Sequence, residues 1–286
     1  MKLKMTATAT RLLALVLALS MLATTIGCGK RDVSSSTDSS DTEASSLTNS
    51  SLPEDTDTAN RVFLIEEIDR AIERNNDTKG WIYIPNTKIN QAVLQRTSAD
   101  KTHKENNEYY LRMDEDKKYD IFGCYWADPD SRMGSRDALS RNTIIYGHSD
   151  YKDTGEGKRF SELFKYNNID FLKNNPYVYF STPEDDMVWQ IFSVFYTKTT
   201  FNYIQANPSE QGFQALVKEA LAKSEYLIDT TVGPDDKILT LSTCTGLFKP
   251  GDHDNYRYVV MAKLMPTSEV PAQGPAVTKN SSPVRD

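Results

Sequence analysis

Cysteine is scarce in this chain of 286 residues: there are three, Cys28, Cys124 and Cys244. A secreted domain stapled by disulfides carries more of them, in even number, so cross-linking is not what holds this fold together. Basic runs are absent beyond the N-terminus and the net charge is −7, which excludes nucleic acid as a natural partner. No internal repeat is present. Histidine is equally rare, with three in all, so each can be weighed by itself. Aromatic residues are plentiful by contrast: fifteen Tyr and eleven Phe, mostly after residue 80, suggest a β-rich domain with a substantial core.

Lys2, Lys4 and Arg11 precede an uncharged stretch over residues 12–29, the pattern of an export signal. Its length is at the lower limit for a membrane span, about 17–25 residues. An uncleaved signal anchor would keep the lysines inside and the rest outside. Alternatively, Thr25-Ile26-Gly27-Cys28 resembles a lipoprotein processing site at which Cys28 is lipidated. Both readings put the remainder outside the cell membrane, tethered to it. Residues 30–60 are rich in Ser, Thr, Asp and Glu and nearly devoid of large apolar side chains. They read as a disordered stalk. Residues 61–266 carry the folded domain, and residues 267–286, rich in Pro, Ser and Thr, read as a flexible tail.

Apolar residues at helical spacing predict an amphipathic helix over residues 61–74 as an N-terminal extension, and further helices over 160–172 and 210–224. Strand patterns cover residues 80–85, 89–95, 108–112, 121–126, 142–147, 177–180, 188–196, 237–244 and 256–264. About eight strands with a few helices give a mainly β fold, a closed or nearly closed β-barrel.

Three residue types in this pattern carry chemistry. In Leu239-Thr240-Leu241-Ser242-Thr243-Cys244 the leucines should face a core. Thr240, Ser242 and Cys244 should face something wetter, with the thiol at the strand's open end. Rigid support behind and access in front suit a nucleophile, although a free cysteine is also among the most buried residue types. His148 follows Asn142-Thr143-Ile144-Ile145-Tyr146-Gly147, so a buried strand delivers an imidazole able to exchange protons near neutral pH. A strand-end histidine bonded to a nearby loop is the plain alternative. Arg257 opens the last strand. If that strand pairs with the one ending in Cys244, the guanidinium lies beside the sulfur, where it favours a thiolate and an oxyanion. His103 and His253 lie in charged loops and read as solvated.

Together, Asn-Thr-Ile-Ile-Tyr-Gly-His at 142–148, Thr-Leu-Ser-Thr-Cys at 240–244 and Arg257 before Val259-Val260 resemble the signature of sortases, class B in particular. The resemblance covers residues 61–264. It implies a closed eight-stranded sortase-like β-barrel and a cysteine transpeptidase that needs no metal or cofactor. Cys244 would cleave a C-terminal sorting signal on secreted surface proteins at a Thr-Gly or similar bond. The resulting thioacyl-enzyme would pass the threonine carboxyl to an amine of the peptidoglycan cross-bridge or of a pilin. His148 would move the protons and Arg257 would hold the substrate carbonyl. The sorting-signal groove maps onto Asn107, Leu111, Tyr146, Thr199, Tyr203, Ile204 and Ser242. Two departures stand out. The connection between Cys244 and Arg257 is longer than is typical of the class and contains His253. Cys124 falls where serine is common, and is expected to be packing.

Overall fold

A computed structural model describes residues 66–246 and 255–286. The expected leader with Cys28, the stalk, the first residues of the helix expected over 61–74, and His253 lie outside the described residues. Among the described residues no helix is long and apolar enough to cross a membrane.

The chain forms helix α1 (residues 66–74), strands β1 (Thr78–Tyr83) and β2 (Asn90–Leu94), helix α2 (His103–Glu108), and strands β3 (Tyr125–Ala127) and β4 (Asn142–Tyr146). A 3₁₀ segment (Arg159–Asn167) and helix α3 (Ile169–Asn174) lead into β5 (Tyr177–Ser181) and β6 (Val188–Lys198). Helix α4 (Glu210–Lys223), β7 (Tyr226–Ile228), β8 (Ile238–Cys244), β9 (Tyr256–Leu264) and β10 (Val277–Lys279) complete it.

Eight strands close into a barrel in the order β1-β2-β3-β4-β8-β9-β6-β5, with β5 returning to β1. Closure leaves no open edge in that sheet. Two pairings are parallel, β2 with β3 and β4 with β8; the others are antiparallel. Side-chain alternation sorts each strand between two cores. Leu239 and Leu241 of β8, Tyr258, Val260 and Ala262 of β9, and Val194 and Tyr196 of β6 fill the interior. From the opposite faces of the same strands Ile238, Val259, Met261, Phe192 and Phe195 meet Phe213, Leu216, Val217 and Ala220 of α4. A third cluster covers the outside of β2 and β3, where Ala92, Leu94, Cys124 and Trp126 lie under Tyr110. Two covers on the outside of one barrel leave a gap between them, and that gap is the groove described below.

Several expectations need correction. Residues 108–112 form no strand: Thr102 and Glu105 make a reciprocal capping box that starts α2, and turns follow it. The aromatic pair there packs edge to face, Tyr109 on Tyr110, at 4.9 Å. Within 121–126 only the end is strand. The helix expected over 160–172 is broken by Asn168, whose extended backbone and side chain cap α3 through the amides of Asp170 and Phe171. The tail expected to be loose is docked. Val277, 5% exposed, belongs to β10, which pairs with β7. At its end Asp286 accepts hydrogen bonds from Thr197 Oγ1 at 2.7 Å and the Lys198 amide at 2.6 Å and pairs with Lys223.

Candidate active site

Strand pairing alone brings Cys244 and Arg257 together: they are register partners across β8 and β9. The parallel register of β4 and β8 matches Tyr146 with Ser242, so two residues further along His148 draws level with Cys244. The Gly147 amide continues the ladder to the Ser242 carbonyl at 3.3 Å, and Ser149 Oγ donates to the Cys244 carbonyl at 2.7 Å. Gly147 has a packing reason to be glycine. A Cβ there would lie 2.8 Å from Phe160 and 2.9 Å from Tyr125, closer than side chains tolerate.

The loop after His148 is strained. Tyr151 and Asp153 both have positive φ, 60° and 55°, which for non-glycine residues persists only where the surroundings over-determine it. The fastening is visible. The Asp153 carboxylate accepts from Thr245 Oγ1 and, at 3.5 Å, from the Gly246 amide. The loop that carries the imidazole thus grips the backbone just beyond the thiol.

A groove of about 340 Å³ opens on the outer face of the barrel at this point. His148, Cys244 and Arg257 line it, and so do all seven residues mapped to it from sequence: Asn107, Leu111, Tyr146, Thr199, Tyr203, Ile204 and Ser242. Each wall has an identifiable support. Asn142 donates its side-chain amide to the carbonyls of Tyr203 and Gln205 at 2.9 and 3.0 Å and accepts from Thr240 Oγ1 at 2.7 Å. That stitches the 203–205 segment onto β4 and β8. Within the wall the hydroxyls of Tyr203 and Ser242 lie 2.8 Å apart. Burial pushes the Tyr203 phenol up to about 12, so it stays a neutral hydrogen-bonding group. On the other side Tyr146 donates to Asp128 at 2.8 Å.

Trp126 is a groove residue that sequence reasoning missed. Its indole donates to Asn107 at 3.1 Å and its ring lies 5.6 Å from Tyr146 and 5.7 Å from His148. The usable signal was its place at the end of a strand candidate, two residues from Cys124. His103 is exposed, as expected; it opens α2 and also faces two carboxylates, Asp128 at 3.2 Å and Asp130 at 3.5 Å.

His148 is 9% exposed. Burial pushes its pKa down, the Leu111 carbonyl at 2.8 Å from Nε2 opposes this, and the Arg112 and Arg159 guanidiniums push it down further. The ring is therefore biased towards the neutral form. Cys124 and Cys244 are not disulfide-bonded. The Cys124 thiol is buried in the third core and pushed well up by desolvation, which makes it an inert packing residue. Cys244 is only partly buried, at the groove. The arrangement therefore holds an accessible sulfur, a neutral imidazole and a fixed cation on one open surface.

The sortase domain model matches residues 82–265. Sortase B of Listeria monocytogenes is 31% identical over 192 residues, covering 67% of this chain and 71% of that protein. Sortase B of Staphylococcus aureus is 29% identical over 195 residues, covering 68% and 72%. The Staphylococcus aureus sortase B–substrate complex superposes with a TM-score of 0.59 at 26% identity, over 73% of this chain and 96% of that one. A sortase B complexed with triglycine gives 0.57 at 26% identity, over 73% and 97%. With the barrel, the groove and these matches in agreement, the chain belongs to the sortase family, and within it to class B, the cell-wall transpeptidases.

Proposed function

We propose that the transpeptidation runs through Cys244, with His148 as the proton carrier and Arg257 as the oxyanion donor. The observation that carries this is the β8–β9 register, which sets Arg257 opposite Cys244 at the open end of the groove. The sorting signal lies along Tyr146, Tyr203, Ile204 and Ser242 with its scissile threonine carbonyl over the sulfur. Neutral His148 takes the thiol proton and Sγ attacks that carbonyl. The carbon–nitrogen bond breaks, and the imidazolium returns its proton to the departing amine. Arg257 stabilises the charge on the oxygen in both tetrahedral states. An amine then attacks the thioester and loses its proton to His148; the carbon–sulfur bond breaks with a new amide formed, and the released thiolate takes that proton from the imidazolium, which restores the thiol and the neutral ring. Partners follow from this chemistry: surface proteins bearing a sorting signal, and an amine of the peptidoglycan cross-bridge or of a pilin. The Staphylococcus aureus complex with substrate and the sortase B complex with triglycine support those two classes. The catalytic domain works on the outer face of the cell membrane, tethered through residues 1–29.

The test uses the full-length chain in detergent with a panel of sorting-signal peptides, with and without triglycine, and identifies products by mass. A thioester on Cys244 and a triglycine-ligated product are expected. Cleavage persisting in Cys244→Ala overturns the nucleophile assignment. Hydrolysis with no ligated product at high triglycine indicates a hydrolase built on the same geometry.

A further inference from the structure

Two groups compete for one nitrogen of His148. Arg112 Nη1 lies 2.9 Å from Nε2, and the carbonyl oxygen of Leu111 lies 2.8 Å from the same atom. A guanidinium only donates and a carbonyl only accepts. Nε2 therefore serves Arg112 with its lone pair, or Leu111 with an N–H, but never both at once. Arg112 has a second partner in reach, since the same Nη1 donates to the Ile121 carbonyl at 2.5 Å. It can give up Nε2 without being left unpaired.

We propose that Arg112 is a positioning residue that bonds Nε2 of His148 when that atom is bare and yields it to the Leu111 carbonyl when it carries a proton. The inference rests on His148 being the proton carrier of the proposed reaction. Three ring states follow. With Nε2 accepting from Arg112, the ring proton is on Nδ1 and His148 cannot take the thiol proton there. With Nε2–H on Leu111, Nδ1 is bare and can act as base. With both nitrogens protonated, Leu111 still holds Nε2–H while Arg112 faces a like charge. Nε2 is engaged in every state, so substrate and thiol are served by Nδ1. Arg112 thus tempers the base and sharpens the acid, since it makes the imidazolium give its proton to the departing amine more readily.

Other groups act on the same ring. Arg159 of the 3₁₀ segment also disfavours the charged form, and Asp120 of the loop that presents Ile121 favours it. Glu108 of α2, Cys244 of β8 and Arg257 of β9 line the groove with it, and the uncharged Trp126 of β3 covers one side. Arg112 lies within hydrogen-bond distance of the ring itself.

The experiment titrates the His148 ring protons by NMR in the full-length protein and its R112M, R112Q and R112K variants, with the pH profile of kcat/KM beside it. The expected result is an upward move of the His148 titration in R112M and R112Q, matched by an upward move of the acidic limb of kcat/KM. R112K, which keeps the charge, stays near the parent, and KM changes little in any of them. A titration midpoint that is unmoved or lowered in the neutral variants overturns the proposal, as does a rate loss that is uniform across pH. R112Q keeps a donor for the Ile121 carbonyl, so it tests the charge even if R112M does not fold. If no variant, parent included, turns over a peptide, the proposed reaction has failed. The NMR titration then still decides whether Arg112 controls the ring.

Discussion

Ser149 Oγ donates to the carbonyl oxygen of Cys244 at 2.7 Å, so the residue after the imidazole holds the residue that carries the thiol. With the Asp153 carboxylate on Thr245 and Gly246, this makes the distance between the Cys244 thiol and the His148 imidazole depend on one loop. Losing a single such bond costs about 1 kcal/mol of stability, but a small misplacement of reacting groups costs rate steeply. Ser149→Ala combined with Asp153→Ala is expected to lower kcat about tenfold, equivalent to about 1.4 kcal/mol of barrier, with KM nearly unchanged. Steady-state kinetics with a sorting-signal peptide measures it. A rise in KM at constant kcat would place the loop's role in binding instead.

Arg257 is tested by charge and shape together. Arg257→Lys keeps the charge but not the planar donor fork, and Arg257→Met removes both. Loss of one oxyanion donor costs about 10²–10³ in kcat. The methionine variant should fall in that range and the lysine variant between it and the parent. Equal rates in all three would show that the guanidinium does not touch the developing charge.

Tyr203→Phe removes the hydroxyl that meets Ser242 in a wall where Tyr203 is 4% and Ser242 2% exposed. A buried hydroxyl left without its partner costs about 1–3 kcal/mol. The melting temperature should fall, and KM should rise more than kcat falls, because the damage is to the groove wall. Pairing it with Ser242→Ala should recover part of the stability. Additive losses would show that the two hydroxyls are not coupled.

The C-terminal dock has a pH signature. Lys223 is 1% exposed, with Asp286 and, at 3.8 Å, Glu219 as its ion-pair partners. Burial alone would push the Asp286 carboxyl up, but the Lys223 ammonium, the Lys198 amide and the Thr197 hydroxyl outweigh it and hold it below the usual range. A depressed carboxylate adds stability that is present above the ordinary aspartate range near 4 and lost as the pH falls through the folded value. Asp286→Ala should therefore cost about 3 kcal/mol at neutral pH, and the difference from the parent should shrink as the pH drops below about 4. Urea unfolding at several pH values decides it. A difference that stays constant with pH would mean the contact is not ionic.

Sequence showed most where chemistry is repeated locally. The alternation in β8 placed Leu239 and Leu241 inside and Ser242 and Cys244 outside, and the strand before His148 was plain from its apolar run. What was missed depends on partners distant in sequence or on very short elements. The strands β7 and β10 have three residues each and exist because they pair with one another. The dock of Asp286 needs Lys223, a charge on the apolar face of α4 that no periodicity argument marks as paired. Arg112 looked like the end of a strand, although Thr102 and Glu105 spelled a helix start a few residues earlier. Its meeting with His148 follows from the fold of the loop after α2, which has no regular pattern to read.

The parallel match of β4 with β8 has a further consequence for the order in which the enzyme matures. Neighbouring strands that point the same way cannot be joined by a tight turn, and here residues 147–237, with six other elements among them, intervene. Such a long-range pairing carries a large loop-closure cost and comes late in folding. Until then Cys244 can have Arg257 beside it through the β8–β9 pairing but has no imidazole at hand. In the proposed reaction the thiol meets its base only when the barrel is complete.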